Sequence, residues 1–193
     1  MKTMKTILTA LVAAALVAVA SPAASQTLSV KSAESSISAV GAKVTGDHTL
    51  NFTNFTGAAK LDKGQVVGLE FTVQVADFTT DLGDSEWGLK FSGHLKSPDF
   101  FDVANFPTAT FKSTKIEVKE SKWGTHEVTG KLTLRGKEKT ILFPATLKLD
   151  GGKLSGKTEF TINRKDFNMI YEGKADDLIK DAVLLKINLN LAP

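Results

Sequence analysis

The residues able to do chemistry are few and scattered. His48, His94 and His126 lie in separate stretches, and none has a second imidazole or a carboxylate at the spacing a metal site needs. The chain has no cysteine, which excludes disulfides, thiolate metal ligands and a thiol nucleophile. There is no Gly-x-Ser-x-Gly and no glycine-rich loop between a strand and a helix. A nucleophile with its base is missing, and so is a pair of carboxylates poised for proton transfer, so no enzyme and no cofactor is expected. Two polar side chains remain as candidate head-group contacts. His94 could hydrogen-bond a ligand or anchor its own loop. Arg164, beside Lys165 and Asp166 near a strand end, could receive a phosphate or carboxylate through paired donors, or form a structural ion pair with Asp166 or another acid. His48 and His126 are expected on the surface, and Asp176, Asp177 and Asp181 on a solvated face.

The elements that would position these groups are strands. Val67, Leu69, Phe71, Val73 and Val75 alternate with Gly68, Glu70, Thr72 and Gln74. The same period of two recurs in Val128 to Arg135, in Ile141 to Leu149, in Leu154 to Ile162 and, most clearly, in Val183 to Leu191. Such alternation marks strands with one apolar and one wetted face. Less regular strands are expected over 27–31, 36–44 and 49–60. After Ala109, Phe111 and Ser113 the phase slips by one residue to Ile116 and Val118, which predicts a bulge. Asp62-Lys63-Gly64, Lys122-Trp123-Gly124, Arg135-Gly136-Lys137 and Asp150-Gly151-Gly152 read as hairpin turns. Between Asp81 and Pro98, Trp87, Phe91 and Leu95 recur every four residues behind a cap at Asp84 or Ser85, which predicts a short helix. Another helical turn fits between Asn163 and Asp181.

About eight alternating strands joined by hairpins leave a sandwich or a closed barrel. Gly130, Ala145, Gly156 and Thr158 are small residues on otherwise large apolar faces, which favours a barrel with an open lumen. The residues expected to line it are Phe71, Val73 and Phe111, then Leu132, Phe143 and Phe160, and finally Leu185 and Ile187. Each methylene buried there is worth ~0.8 kcal/mol, so a ten-carbon tail contributes ~8 kcal/mol before association costs. Affinity of that origin needs little from polar contacts and leaves the head group unspecified.

The N-terminus carries an address. Lys2 and Lys5 precede an uncharged run from Ile7 to Ala20, followed by small residues up to Ser25. This is the three-part pattern of a cleavable secretory signal, with the cut between Ser25 and Gln26. The run is too short for a spanning helix, which needs roughly 18–20 residues. With no cysteine after it, lipid attachment is excluded and no integral membrane segment is expected after cleavage. Residues 26–193 then form one domain of 168 residues. The net charge of +3 includes Lys2 and Lys5, and no basic stripe suggests nucleic acid. A disulfide-free exported domain fits a Gram-negative periplasm. The Asn-x-Thr triplets at Asn51 and Asn54 are read as chance.

Three motifs identify the chain further. Gly93-His94-Leu95-Lys96-Ser97-Pro98-Asp99-Phe100-Phe101-Asp102 leads into Phe106-Pro107-Thr108-Ala109-Thr110-Phe111. Val128-Thr129-Gly130-Lys131-Leu132-Thr133-Leu134-Arg135-Gly136 follows, and then Ile162-Asn163-Arg164-Lys165-Asp166-Phe167. In order and spacing they resemble the YceI-like family of bacterial periplasmic proteins over nearly all of the mature chain. The resemblance implies an all-β, lipocalin-like antiparallel barrel with one or two short helices, holding a polyisoprenoid, a quinone-like molecule or another fatty amphiphile. The chain departs from the family pattern where Phe91-Ser92-Gly93-His94 keeps only the histidine of the usual Arg-Asp-x-His, and where Glu34-Ser35-Ser36-Ile37 lacks the histidine common in that region. The expected function is periplasmic binding or transport of a long-chain apolar ligand. The alternative is a non-catalytic envelope-stress protein with a filled barrel, acting through Trp87, Phe100, Phe101 or Trp123. A homodimer is compatible with either.

Overall fold

The computed structural model describes residues 25–193; the signal expected over residues 1–25 lies outside them but for Ser25. The described chain is a closed, eight-stranded antiparallel barrel with a single α-helix. Its wall is built from β1 (Gln26–Val30), β2 (Ser36–Lys43), β3 (Gly46–Phe52), β4 (Phe55–Asp62), β5 (Gln65–Gln74), β7 (Thr108–Ser121), β8 (Gly124–Leu134), β9 (Lys137–Asp150), β10 (Lys153–Asn163) and β12 (Asp177–Ala192). The count is eight because two long strands are broken. A 3-10 turn at Ser32–Glu34 divides β1 from β2, and Thr53-Asn54 divides β3 from β4. The run expected as one strand over 49–60 is therefore two segments. The short β6 (Phe78–Thr80) extends the sheet beyond β3, and β11 (Gly173–Lys174) folds onto β12. The helix α1 (Glu86–Lys96) starts at Ser85, whose hydroxyl accepts from the Gly88 backbone N–H at 3.0 Å.

The last strand closes the ring. One edge of β12 pairs with β10 from Asn163↔Ala182 to Leu154↔Leu191. Its other edge takes β2 and then β1, which pairs onward with β4. Both edges of β12 are paired along these ladders, so its backbone donors and acceptors are satisfied within the protein.

Three of the expected hairpins have both central residues at positive φ: Lys63-Gly64, Arg135-Gly136 and Gly151-Gly152. That is the type I′ geometry, whose twist matches the strands it joins. The expected slip in β7 is a bulge, since Ser113 opposes Gly130 while Lys115 opposes Thr129. A second bulge was hidden in the alternation of β5. Lys60 pairs with Gly68 and Leu61 with Val66, leaving Val67 unpaired and 55% exposed. Val66, and not Val67, packs with Leu69 and Phe71 against the core. An apolar side chain on either face reads alike in sequence, and only the partner strand settles the register.

The small residues of the inner face work differently from the expectation that they leave space. Gly130 is covered by the Phe111 ring, and Gly57 by the Phe71 ring; a Cβ at either position would overlap the aromatic. The rings lie back against thin stretches of wall instead of pointing at the barrel axis. Open space does remain beside Gly41, where a Cβ would meet nothing within 4 Å.

Register also turns His126 inward, against the expectation of a surface residue. It opposes Val118 on β7 and Ala145 on β9, and Ala145 is 3% exposed in the core. Burial disfavours the imidazolium and pushes the His126 pKa down, with only a partial counter-pull from Glu120.

Two measurements check this account. Gly130→Val forces the Phe111 ring off its resting place and is expected to destabilise the barrel by about 2 kcal/mol in denaturant unfolding. The same change costs less in a Phe111→Leu background, which removes the contact with the ring and leaves the one with the Lys112 carbonyl. For His126 the folded pKa lies below the unfolded one, so its contribution is complete above the ordinary imidazole value and shrinks as pH falls through it. The melting temperature is expected to drop between about pH 7 and about pH 5, and to drop less in His126→Gln.

Candidate ligand-binding site

The barrel encloses a cavity of about 230 Å³. An apolar cavity of about 150 Å³ is already enough to hold a benzene-sized molecule, so this interior is hollow on the scale of a ligand. All eight side chains expected to line it do so: Phe71, Val73, Phe111, Leu132, Phe143, Phe160, Leu185 and Ile187. Four of them form a continuous aromatic band. Phe71 stacks near-parallel with Phe111 at 6.4 Å, Phe111 leans on Phe143 at 5.5 Å, and Phe143 stacks on Phe160 at 4.3 Å. Offset and tilted rings of this kind stabilise one another by about 0.5–1.5 kcal/mol per pair. That keeps the band in place without a ligand.

Sequence reading missed the opposite wall. Ile37, Ala39 and Gly41 of β2 and Leu50 of β3 also line the cavity. The signal was present as Ile37-x-Ala39-x-Gly41, an alternation diluted by small residues until it no longer resembled an apolar face.

Few polar atoms reach this space. Thr158 donates its hydroxyl to the Pro144 carbonyl at 2.6 Å, so the wall satisfies it. Arg164 borders the cavity but does not offer a donor to a head group, which corrects one expectation. It is 2% exposed, and its five N–H groups have partners in the protein. Nε donates to the Lys180 carbonyl, Nη1 to the carbonyls of Met169 and Tyr171, and Nη2 to the Ile179 carbonyl and Asp181 Oδ1. A guanidinium has five donors and all five are engaged. The partner carboxylate is Asp181 and not the neighbouring Asp166.

His94 likewise stands outside the cavity lining. Its Nε2 pairs with Asp99 Oδ2 at 2.8 Å, and its ring meets Phe100 and Tyr171 edge to face at 5.1 and 4.8 Å. This is the anchoring role, and it joins two segments that cover one end of the barrel. The segment from α1 to β7 sends Leu95, Phe100 and Phe101 into the cavity, and the segment after β10 sends Met169. Arg135, in the turn between β8 and β9, donates to the carbonyls of both Pro98 and Asn168 and ties them together. Of the three acids expected on a solvated face, Asp176 is exposed, whereas Asp177 and Asp181 are engaged in ion pairs. Asp177 pairs with Lys43 and accepts from Thr45, and the Lys43 ammonium holds its carboxyl below the ordinary value. Among the described residues no three His, Asp or Glu side chains converge in a way that could hold a metal ion. Of the four surface contacts considered, Phe100 and Phe101 face the cavity, whereas Trp87 and Trp123 are 75% and 70% exposed.

Known proteins share this architecture. The structure of BcnA from Burkholderia cenocepacia superposes with a TM-score of 0.72 at 30% identity, over 83% of this chain and 98% of that one. A polyisoprenoid binding domain from Saccharophagus degradans, implicated in plant cell wall breakdown, superposes with a TM-score of 0.64 at 15% identity, over 86% and 98%. In sequence, the protein YceI of Salmonella arizonae is 32% identical over 124 residues, and the match spans 61% of the length of each chain. The YceI-like domain matches residues 28–191, which hold every strand that lines the cavity. The chain belongs to the YceI-like family.

Proposed function

We propose that this protein is a periplasmic carrier that holds a long-chain apolar ligand, a polyisoprenoid, quinone-like molecule or fatty amphiphile, inside the barrel and does no chemistry on it. The observation that carries the reading is the hollow interior: a cavity of about 230 Å³ bounded almost wholly by aliphatic and aromatic side chains. Its bordering guanidinium and inward hydroxyl are already engaged, so an occupant finds an oily surface and little else. Such a surface favours a hydrocarbon chain over a charged or strongly hydrated molecule, because desolvated polar groups would go unpaired. The Saccharophagus degradans neighbour is a polyisoprenoid binding domain, and the same ligand class suits this lumen. Export follows from the N-terminal pattern of charge, apolar run and small residues.

Gly41 provides the test, since its Cβ position faces open space on the cavity wall. Gly41→Phe starts from a Cβ that meets nothing within 4 Å and projects a ring into the lumen. It is expected to weaken binding of geranylgeraniol, followed by displacement of a fluorescent fatty acid, by about tenfold or more while the melting temperature holds. Unchanged binding would sink the lumen as the site. A solidly packed interior would answer instead with a loss of about 1–3 kcal/mol in stability from overpacking. Protein purified from its native envelope should also release a long-chain lipid into organic solvent, identified by mass spectrometry.

A further inference from the structure

A ligand needs a way in, and neither end of the barrel offers an easy one. At the covered end, Arg135 and His94 hold the two covering segments together. At the far end, beside the turns β4–β5 and β9–β10, the interior is packed by Leu28, Leu61, Leu154 and Leu191, each 3% exposed or less. The side wall has a weaker place. β9 and β10 pair from Lys153↔Asp150 to Lys157↔Thr146, and among the described residues no ladder joins what remains of them, 137–145 and 158–163. Over that length β9 stays bonded to β8, and β10 to β12. The seam crosses the wall of the cavity: Ile141, Phe143 and Ala145 line it from one side, Thr158, Phe160 and Ile162 from the other. Pro144 writes the gap into the sequence. Its carbonyl accepts from the Thr158 hydroxyl at 2.6 Å, so it points toward β10. The N–H and C=O of one strand residue point the same way, so the donor that proline lacks is one β10 would have needed. Side chains fill the seam instead, with the Phe143 and Phe160 rings stacked at 4.3 Å and 6° from parallel. β5 and β7 also part beyond Glu70↔Lys112, but Val66 and Ile116 beside that gap do not line the main cavity.

We propose that this seam is the entrance of the lumen, a side door between β9 and β10 whose two leaves are the Phe143 and Phe160 rings. This rests on the carrier reading and adds to it the route of the ligand and the gate that controls it. Parting β8 from β9, or β10 from β12, breaks a row of backbone bonds. Parting β9 from β10 here breaks one aromatic stack and one hydroxyl–carbonyl bond. Either ring swings aside by a change of χ1 between staggered wells, with its strand left in place. Lys157, exposed on the outer face, borders the cavity at the foot of the seam, and Leu142, 60% exposed, stands on its outer rim. An incoming hydrocarbon chain thus meets an aliphatic side chain outside, two rings in the wall and the aromatic band within. Apolar surface is replaced by apolar surface at each step, so the passage asks for no polar group to be desolvated unpaired.

Exchange kinetics test the door on the mature protein, with the fluorescent fatty acid cis-parinaric acid as the probe in stopped flow. Continuing the register of Thr146↔Lys157 by four residues brings Leu142 opposite Thr161, and both are exposed. Leu142→Cys with Thr161→Cys places the only two thiols in a cysteine-free chain, one on each side of the seam. Joined by a flexible bis-maleimide, the pair is expected to slow uptake and release alike, by about tenfold or more, with Kd held within about twofold of the same variant capped by N-ethylmaleimide. A second clamp, His94→Cys joined to Tyr171→Cys across the covered end, is expected to leave both rates as they were. Phe160→Leu keeps an aliphatic lining but removes the stack, and both rates are expected to rise. Full exchange rates with the seam bridged overturn the door, as does slowing by the covered-end clamp alone. A rise in the Phe160→Leu release rate without faster uptake also overturns it, since that is the mark of a lost binding contact. A parent that fails to bind cis-parinaric acid or geranylgeraniol overturns the carrier reading itself, an outcome distinct from failure of the door.

Discussion

The structure depends on one closure: β12 pairs with β10 along one edge and with β2 and β1 along the other. An antiparallel sheet with one wetted and one apolar face must bury the latter against something. Here it is buried against itself. With 16 residues, β12 is the longest strand of the barrel, and it is long enough to serve both halves of the interrupted β1–β2 strand. Closure satisfies the backbone without disulfides, which the cysteine-free chain cannot form. It also makes an interior that side chains need not fill, because hydrogen bonds around the wall hold the shape.

What keeps that interior hollow is where the large side chains rest. The Phe71 and Phe111 rings lie over Gly57 and Gly130, and the stacked Phe143 and Phe160 continue the band around the wall. Aromatic area is therefore presented to the lumen as a lining. Of the polar residues that border it, Thr158 and Arg164 are already satisfied by backbone carbonyls and a carboxylate. Shape and oiliness, more than hydrogen bonding, set what can enter.

The two ends have different chemistry for the same reason. At the covered end, Arg164 and Arg135 gather loop carbonyls that would otherwise be left without partners, and a charged donor does this more strongly than a neutral one. Arg164 is thus part of the architecture, and at the same end His94 serves as a joint between Asp99, Phe100 and Tyr171. At the far end, among the described residues, inner-face side chains such as Val118 stay wet.

From the order of residues alone follow the alternating strands, the hairpin turns at Lys63-Gly64 and Arg135-Gly136, the bulge after Ser113, a short helix behind a cap at Asp84 or Ser85 and the eight side chains that line the lumen. All of these are local: period-two alternation, glycine at positive φ and a hydroxyl before a helix act over a few residues. Tertiary structure alone decided that Val67 is bulged out and Val66 packs in, that His126 faces inward, that Arg164 bonds its own loop, and that phenylalanine rings cover Gly57 and Gly130. Each of these depends on which residue of a distant strand stands opposite. A shift of one residue in pairing reverses the face of every side chain that follows, and the composition of the strand stays the same.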